Sequence, residues 1–470
     1  MERSPNQFPQ AAQNALKNPT LQTAMERGTQ NGVNSRLRAM GELPHADQLR
    51  QQGRAAKQRA LNHLPDLLTQ FEAQISARGA QVLWAEDAAE ANRLILEIAQ
   101  KHRVKKVVKG KSMVTEEIGL NPVLEGAGLE VIETDLGEFI VQLDHDTPSH
   151  IVAPIIHKTR EQVRDLFMDR LHMPASDDPA VMTAHARAHL RQEFLSADMG
   201  ITGANFLIAE TGTAVIVTNE GNGRMTSSLP KVHVIAVGIE KIVPTLEDFG
   251  TLLQILTRSA TGQKMSVYTH LMSGPASPQD PDGPDSMYVV LIDNGRSRIY
   301  GEQYAEVLLC LRCGACQHVC PVYQNVGGHA YGAVYGGPIG SVLTPLQQGV
   351  ENAHPLPYAS SLCGACQAAC PVIINLPDML LKLRADLVSG GHTEPIMQMG
   401  IKAWARVMQS PRLYGLGGAA ARAGTRFLSR GSETVTALPG ILGNWTDQRD
   451  FPAFAPKSFH QLWREREQGS

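Results

Sequence analysis

The chain has 470 residues, with 43 Lys and Arg set against 46 Asp and Glu for a net charge of −3. That near-balance gives no electrostatic footing for nucleic acid or an anionic membrane surface. Apolar residues make up 43%, yet no run approaches the roughly 20 that a bilayer span requires, so the sequence reads as a soluble protein with no transmembrane segment.

Taken in chain order, residues 1–78 form a polar, helical N-terminal lead in which Leu61, Leu64, Leu67, Leu68 and Phe71 recur at helical spacing. From residue 79 the pattern alternates. Strand-like segments at 81–84, 105–108 and 129–133 are separated by helical ones at 88–102 and 114–120, a succession that predicts a parallel α/β sheet. Helices are expected near 158–171 and 179–197. The β-rich segments 205–209 and 213–218 follow, then strands near 231–238, 266–271 and 287–292, with a Pro/Gly/Asp-rich loop at 274–285.

Two places in this block suggest an anion site. Lys109-Gly110-Lys111-Ser112 lies after a strand and before a helix, where a phosphate loop would be, but Lys105 stands where a Walker loop needs its earlier glycine. What survives is a helix start flanked by Lys109, Lys111 and Ser112. Glu210-Thr211-Gly212-Thr213 adds a carboxylate and hydroxyls at a tight turn, so the candidate anion set is Lys109, Lys111, Ser112, Glu210, Thr211 and Thr213. Glu220-Gly221-Asn222-Gly223-Arg224 is a second such turn, though turn chemistry alone accounts for its glycines and asparagine. His150, His157 and His233 have no carboxylate–histidine–nucleophile spacing and read as surface or core residues.

The seven cysteines of the chain all fall between Cys310 and Cys370, as Cys310-x2-Cys313-x2-Cys316-x3-Cys320-Pro321 and Cys363-x2-Cys366-x3-Cys370-Pro371. The first run has the bacterial ferredoxin spacing, in which three thiolates hold one cubane and the fourth reaches a second. Structural zinc separates two Cys-x2-Cys halves instead, and an odd cysteine count with no secretory segment in view argues against a disulfide framework. By cross-ligation, Cys310, Cys313, Cys316 and Cys370 complete one cluster and leave Cys320, Cys363 and Cys366 for the other. The eighth place falls on Ser360, so the second site is expected to hold a 4Fe cluster with a non-cysteine fourth ligand, or a 3Fe-4S cluster. Gly314 and Gly364 let the backbone approach the sulfides, and each proline ends a helical turn. These two cysteine half-motifs are the single internal repeat, and their window is expected as a separate helical unit beginning near residue 302.

From about residue 386 a C-terminal region is helical with a Gly/Ala-rich middle. Gly415-Leu416-Gly417-Gly418-Ala419-Ala420 fits a dinucleotide fingerprint, but Ser410-Pro411-Arg412-Leu413-Tyr414 before it is no buried strand, so it reads as a helix packing seam with no flavin or nicotinamide site.

In order, Lys109-Gly110-Lys111-Ser112-Met113-Val114-Thr115-Glu116-Glu117, Ala209-Glu210-Thr211-Gly212-Thr213, the cysteine motifs and the tail Trp445…Arg449-Asp450-Phe451-Pro452 resemble the lactate utilisation protein B family over nearly the whole chain. The resemblance implies an α/β LUD domain at 79–300, with a sheet like that of sugar isomerases and CoA transferases. A small α-helical ferredoxin-type 4Fe-4S dicluster domain at 301–385 and a helical or irregular family-specific region at 386–470 would follow. It further implies a cytoplasmic electron-transfer subunit, peripherally membrane-associated at most, that is not autonomous as an enzyme. Such a subunit works with a cysteine-rich companion and a second LUD protein to oxidise L-lactate to pyruvate for growth on lactate. The family's ligands map to the seven cysteines, and serine at Ser360 resembles the family's usual state. The rival readings are a metabolite-binding redox sensor, an electron carrier for another 2-hydroxy acid oxidoreductase, and an isomerase-like enzyme with structural clusters.

Overall fold

The computed structural model describes residues 4–149, 155, 157–392, 395–447 and 449–468. Its contacts divide it into two compact units, Met1–Gly390 and Gly391–Ser470. Among the described residues no helix is long and apolar enough to cross a membrane.

The strands of the first unit are β1 (Gln81–Ala85), β2 (Lys106–Gly110), β3 (Glu130–Glu133), β4 (Met199–Thr202), β5 (Phe206–Ile208), β6 (Thr213–Thr218), β7 (Val232–Gly238), β8 (Ile242–Val243), β9 (Tyr268–Met272) and β10 (Ser286–Ile292). Six of them make a sheet in the order β1-β10-β7-β4-β2-β3, with every neighbouring pair parallel. Its central strands are buried along both faces, which is why β7 reads as an almost unbroken apolar run. After β2 the chain steps outward to β3 and then returns across β2 to β4. Such a reversal opens a crevice at the carboxyl ends of the strands.

A second sheet, ordered β8-β5-β6-β9, covers one face of the first. Strand alternation explains how it serves two cores. Leu207, Ala214 and Ile216 pack with Ile235, Val237 and Val289 of the large sheet and with Phe71 and Ile75 of the helix Leu64–Ser76. Phe206, Ile208 and Val215 point the other way, joining Leu252 and Ile255 of the helix Leu246–Ala260 to Leu308, Ile339, Val342 and Cys313. Helices Ala88–Lys101 and Leu120–Gly126 cover the opposite face of the large sheet through residues such as Ile95 and Leu124.

The cysteine segment shares a continuous core with the α/β layers. The N-terminal helices are likewise built in. Arg50, on the helix Ala46–Asn62, donates to the carbonyls of Ala368 at 2.8 Å and Cys370 at 2.9 Å, and Arg54 donates to the carbonyl of Ile373 at 2.7 Å.

The second unit holds the helices Pro395–Met408 and Pro411–Leu428, a short antiparallel pairing of Thr434–Val435 with Phe451–Pro452, and the helix Phe459–Gln468. The glycine-rich fingerprint lies inside Pro411–Leu428, so it is helix and not a strand-to-helix turn. Arg449 stacks on Trp445 at 4.1 Å, while Gln448 lies outside the described residues.

Candidate functional site

Both cysteine half-motifs fold by the same local device. Arg312 and Leu362 have φ of 58° and 56°, followed by Gly314 and Gly364 at 75° and 79°, and each glycine opens a short helix, Ala315–His318 or Ala365–Ala369. Left-handed backbone at two places in each run curls the chain so that its amides face inward. The Arg312 amide donates to Cys310 Sγ at 3.3 Å. Ala315 donates to Cys313, Val322 and Tyr323 to Cys320, Ala365 to Cys363, Gln367 to Cys366, and Val372 and Ile374 to Cys370. Pro321 does more than end a turn: it is the first residue of the helix Pro321–Val326, whose leading amides aim at Cys320.

The sulfurs interact in two sets. Cys313 feels Cys370 and Cys310, Cys316 feels Cys310, Cys313 and Cys370, and Cys366 feels Cys320 and Cys363. Cys316 also feels Cys366, so the two sets adjoin. Burial pushes the thiols of Cys313 up to about 12 and of Cys366 and Cys370 up to about 11, whereas the exposed Cys363 is lowered by the Ala365 amide. No cysteine is in a disulfide. Buried thiols that repel one another while receiving amide N–H groups suit thiolates bound to a cationic metal core, whose loading displaces the protons.

Ser360 occupies the place in the second half that Cys310 occupies in the first. Its Oγ accepts from the Leu362 amide at 3.1 Å, as Cys310 Sγ accepts from that of Arg312.

Basic side chains crowd the first set. Arg36 acts on Cys313, Arg50 on Cys370, and Cys310 acts on Lys57, Lys241 and Arg312. Arg312 lies within the cysteine run itself, but nothing in the local sequence marks the other four, which arrive from two N-terminal helices and the β7–β8 turn. Behind them lies a buried network. Arg296, 1% exposed, grips Glu117 through two nitrogens at 2.8 and 2.9 Å and Glu240 at 2.6 Å. Tyr335 donates to Glu117 at 2.6 Å, and Arg312 lies over the Tyr335 ring at 4.4 Å and 3.6 Å from Glu240.

A cavity of about 510 Å³ opens at the carboxyl ends of β2, β3, β4 and β7, lined among others by Lys111, Asp135, Gly203 and Lys241, and it reaches Arg312 and Cys313. Gly203 is required there, since a Cβ would stand 2.6 Å from the Lys111 carbonyl oxygen. The structure divides the six-residue anion set. Lys111 and Ser112 line the cavity; Lys111 is held by Asp135 and, at 2.7 Å, by Glu220, and Ser112 caps the helix Met113–Glu117. Lys109 is within β2, buried opposite Glu133 of β3 and paired with it at 2.8 Å, because that strand runs on to Gly110. Glu210 accepts the Leu246 amide, and Thr211 and Thr213 bond each other at the β5–β6 turn packed on Gln74 and Ile75. His233 is buried against Thr202 at 2.8 Å and His157 bonds Asp146 at 3.0 Å, while His150 lies outside the described residues.

Known proteins match along the whole chain. Residues 68–292 match the LUD domain, 306–374 the 4Fe-4S dicluster domain, and 386–468 the C-terminal domain of lactate utilisation protein B. The dicluster match places two iron–sulfur clusters in the cysteine region. Lactate utilization protein B of Bacillus subtilis (strain 168) is 45% identical over 448 residues, covering 94% of this chain and 93% of the relative. The Bacillus velezensis protein of the same name is 44% identical over 94% of both chains, and that of Bacillus thuringiensis (strain Al Hakam) 42% identical over 100% and 99%. A solved DUF162 family protein from Deinococcus radiodurans covers 49% of this chain and 98% of its own at 16% identity, with a TM-score of 0.28 too low to bear on the fold. On the near-complete alignment with these relatives, the chain belongs to the lactate utilisation protein B family.

Proposed function

We propose that this chain is the iron–sulfur electron-transfer subunit of an L-lactate-oxidising system that yields pyruvate and supports growth on lactate. It works with a cysteine-rich companion and a second LUD protein, and passes electrons to an acceptor outside itself. Cys310, Cys313, Cys316 and Cys370 hold one cluster, and Cys320, Cys363 and Cys366 hold the other, with Ser360 Oγ at the eighth position. When bound, such clusters take up and release single electrons. The chain's own contribution is to set where and how readily this happens. Amides aimed at the sulfurs and five basic side chains around the first set favour added negative charge there. The second set has one exposed member, Cys363, at the protein surface. The observation that carries the reading is the adjacency of the two sets, the first beside a cavity and the second reaching the surface through Cys363.

The domain division that accompanies this reading is 1–78, 79–300, 301–385 and 386–470, with the parallel α/β block taken as a sheet of the sugar-isomerase and CoA-transferase kind. The anaerobic test mixes lactate, an electron-accepting dye and the purified chain. Dye reduction that needs the two companions supports the subunit reading, and full turnover by the chain alone overturns it.

Ser360→Cys is expected to supply an eighth thiolate where the amide geometry already receives one. If the native second site holds a three-iron cluster, iron should rise by about one atom per chain and the oxidised EPR spectrum should change. Identical iron content and spectra in parent and variant would place Ser360 away from the cluster.

A further inference from the structure

We propose that the cavity between the α/β layers and the cysteine segment binds a small organic anion, its acid group held by Lys241 and Arg312 beside Cys313. The charges at the cavity floor carry the argument. Four basic side chains, Lys57, Lys241, Arg296 and Arg312, neighbour two carboxylates, Glu117 and Glu240, and of these six Lys241 and Arg312 line the cavity. Arg296 makes two bonds to Glu117 and one to Glu240 Oε2, and Lys57 donates to the Glu240 carbonyl at 2.5 Å. Two donors are left over. Lys241, 7% exposed, makes no hydrogen bond or ion pair among the described residues, and Arg312, though 3.6 Å from Glu240 through Nη2, keeps Nη1 buried with no hydrogen-bond partner. A buried donor with no partner is costly, so the Lys241 ammonium and Arg312 Nη1, both on residues that line one cavity, call for an acceptor there.

The place fits independently. Lys111, Asp135, Gly203 and Lys241 follow the carboxyl ends of four parallel strands around the β2–β4 reversal, where ligands of open α/β sheets bind. The volume of about 510 Å³ lies within the usual range for small-molecule sites. The rim carries Asp135 and Glu220 against Lys111, opposite in sign to the floor. A molecule with an acid at one end and hydroxyl groups at the other matches that polarity, and carboxylate and phosphate share the chemistry the floor recognises.

The site stands whether or not the cluster assignment does, since binding is measured without turnover. Calorimetry on the anaerobically purified full chain uses lactate and pyruvate as the carboxylate arm and ribose 5-phosphate as the phosphate arm. One arm should saturate at one site per chain. Lys241→Met should weaken that binding at least tenfold, Lys241→Arg should keep it within about threefold, and Lys382→Met, half-exposed on the helix Leu376–Ser389 that contributes nothing to the cavity lining, should leave it unchanged. Iron content and EPR, read on the same samples, test the cluster assignment separately. No saturable binding by any of the three probes, or equal affinity in the parent and Lys241→Met, overturns the site. A Lys241→Met chain that loses iron is replaced by Lys241→Gln, for which the same tenfold loss is required.

Discussion

Replacing Cys313 by alanine is expected to abolish the first cluster and loosen the fold around it. Cys313 is buried among Leu311, Ile339 and Cys370 in the core that also joins Phe206 and Leu252, so the site and the inter-layer core are one structure. Losing a ligand frees the cluster's hold on Cys370, whose carbonyl anchors Arg50 of the N-terminal helix. Metal binding and folding energy are coupled in such a place, so iron content should fall by about half and the apparent melting temperature should drop with it. Anaerobic iron and sulfide analysis beside thermal unfolding checks this. Full iron with an unchanged melt would remove Cys313 from the ligand set.

Replacing Arg296 by leucine should be as damaging without touching a sulfur. Among the described residues the guanidinium is the only cation bonded to Glu117, through two bonds, and it also holds Glu240, which burial would otherwise push toward neutrality. Removing one partner of a buried ion pair costs about 3–5 kcal/mol because the other charge stays buried. In a unit that runs to Gly390, that corresponds to a fall of roughly 5 °C in the apparent melting temperature. Arg296→Lys keeps a charge but not the planar fork, so it should fall between. A leucine variant melting within about 2 °C of the parent would show that Glu117 and Glu240 are compensated elsewhere.

The cysteine region was legible in sequence because cluster ligation is local: fixed spacings, a glycine after the second cysteine and a proline after the last are all printed in the chain. Parallel α/β organisation was legible too, since strands such as 81–84 and 231–238 lie within a residue or two of the observed β1 and β7. What sequence could not carry was convergence. Arg36, Arg50, Lys57 and Lys241 come from separate elements and show no periodicity that singles them out. β4, four residues long after an extended helix, gave too short a signal, yet its end supplies Gly203 to the cavity. Lys109 was misleading for a related reason: its Lys-Gly-Lys-Ser setting suggests a loop, while two further strand residues bring it opposite Glu133 in the sheet interior.

The most direct test of the account is an EPR-monitored reductive titration of the anaerobically purified chain. Two one-electron components should titrate separately, the set of Cys310, Cys313, Cys316 and Cys370 at the higher potential because five basic side chains surround it. A single component with about four irons per chain, or stoichiometric zinc and no redox-active signal, would contradict it.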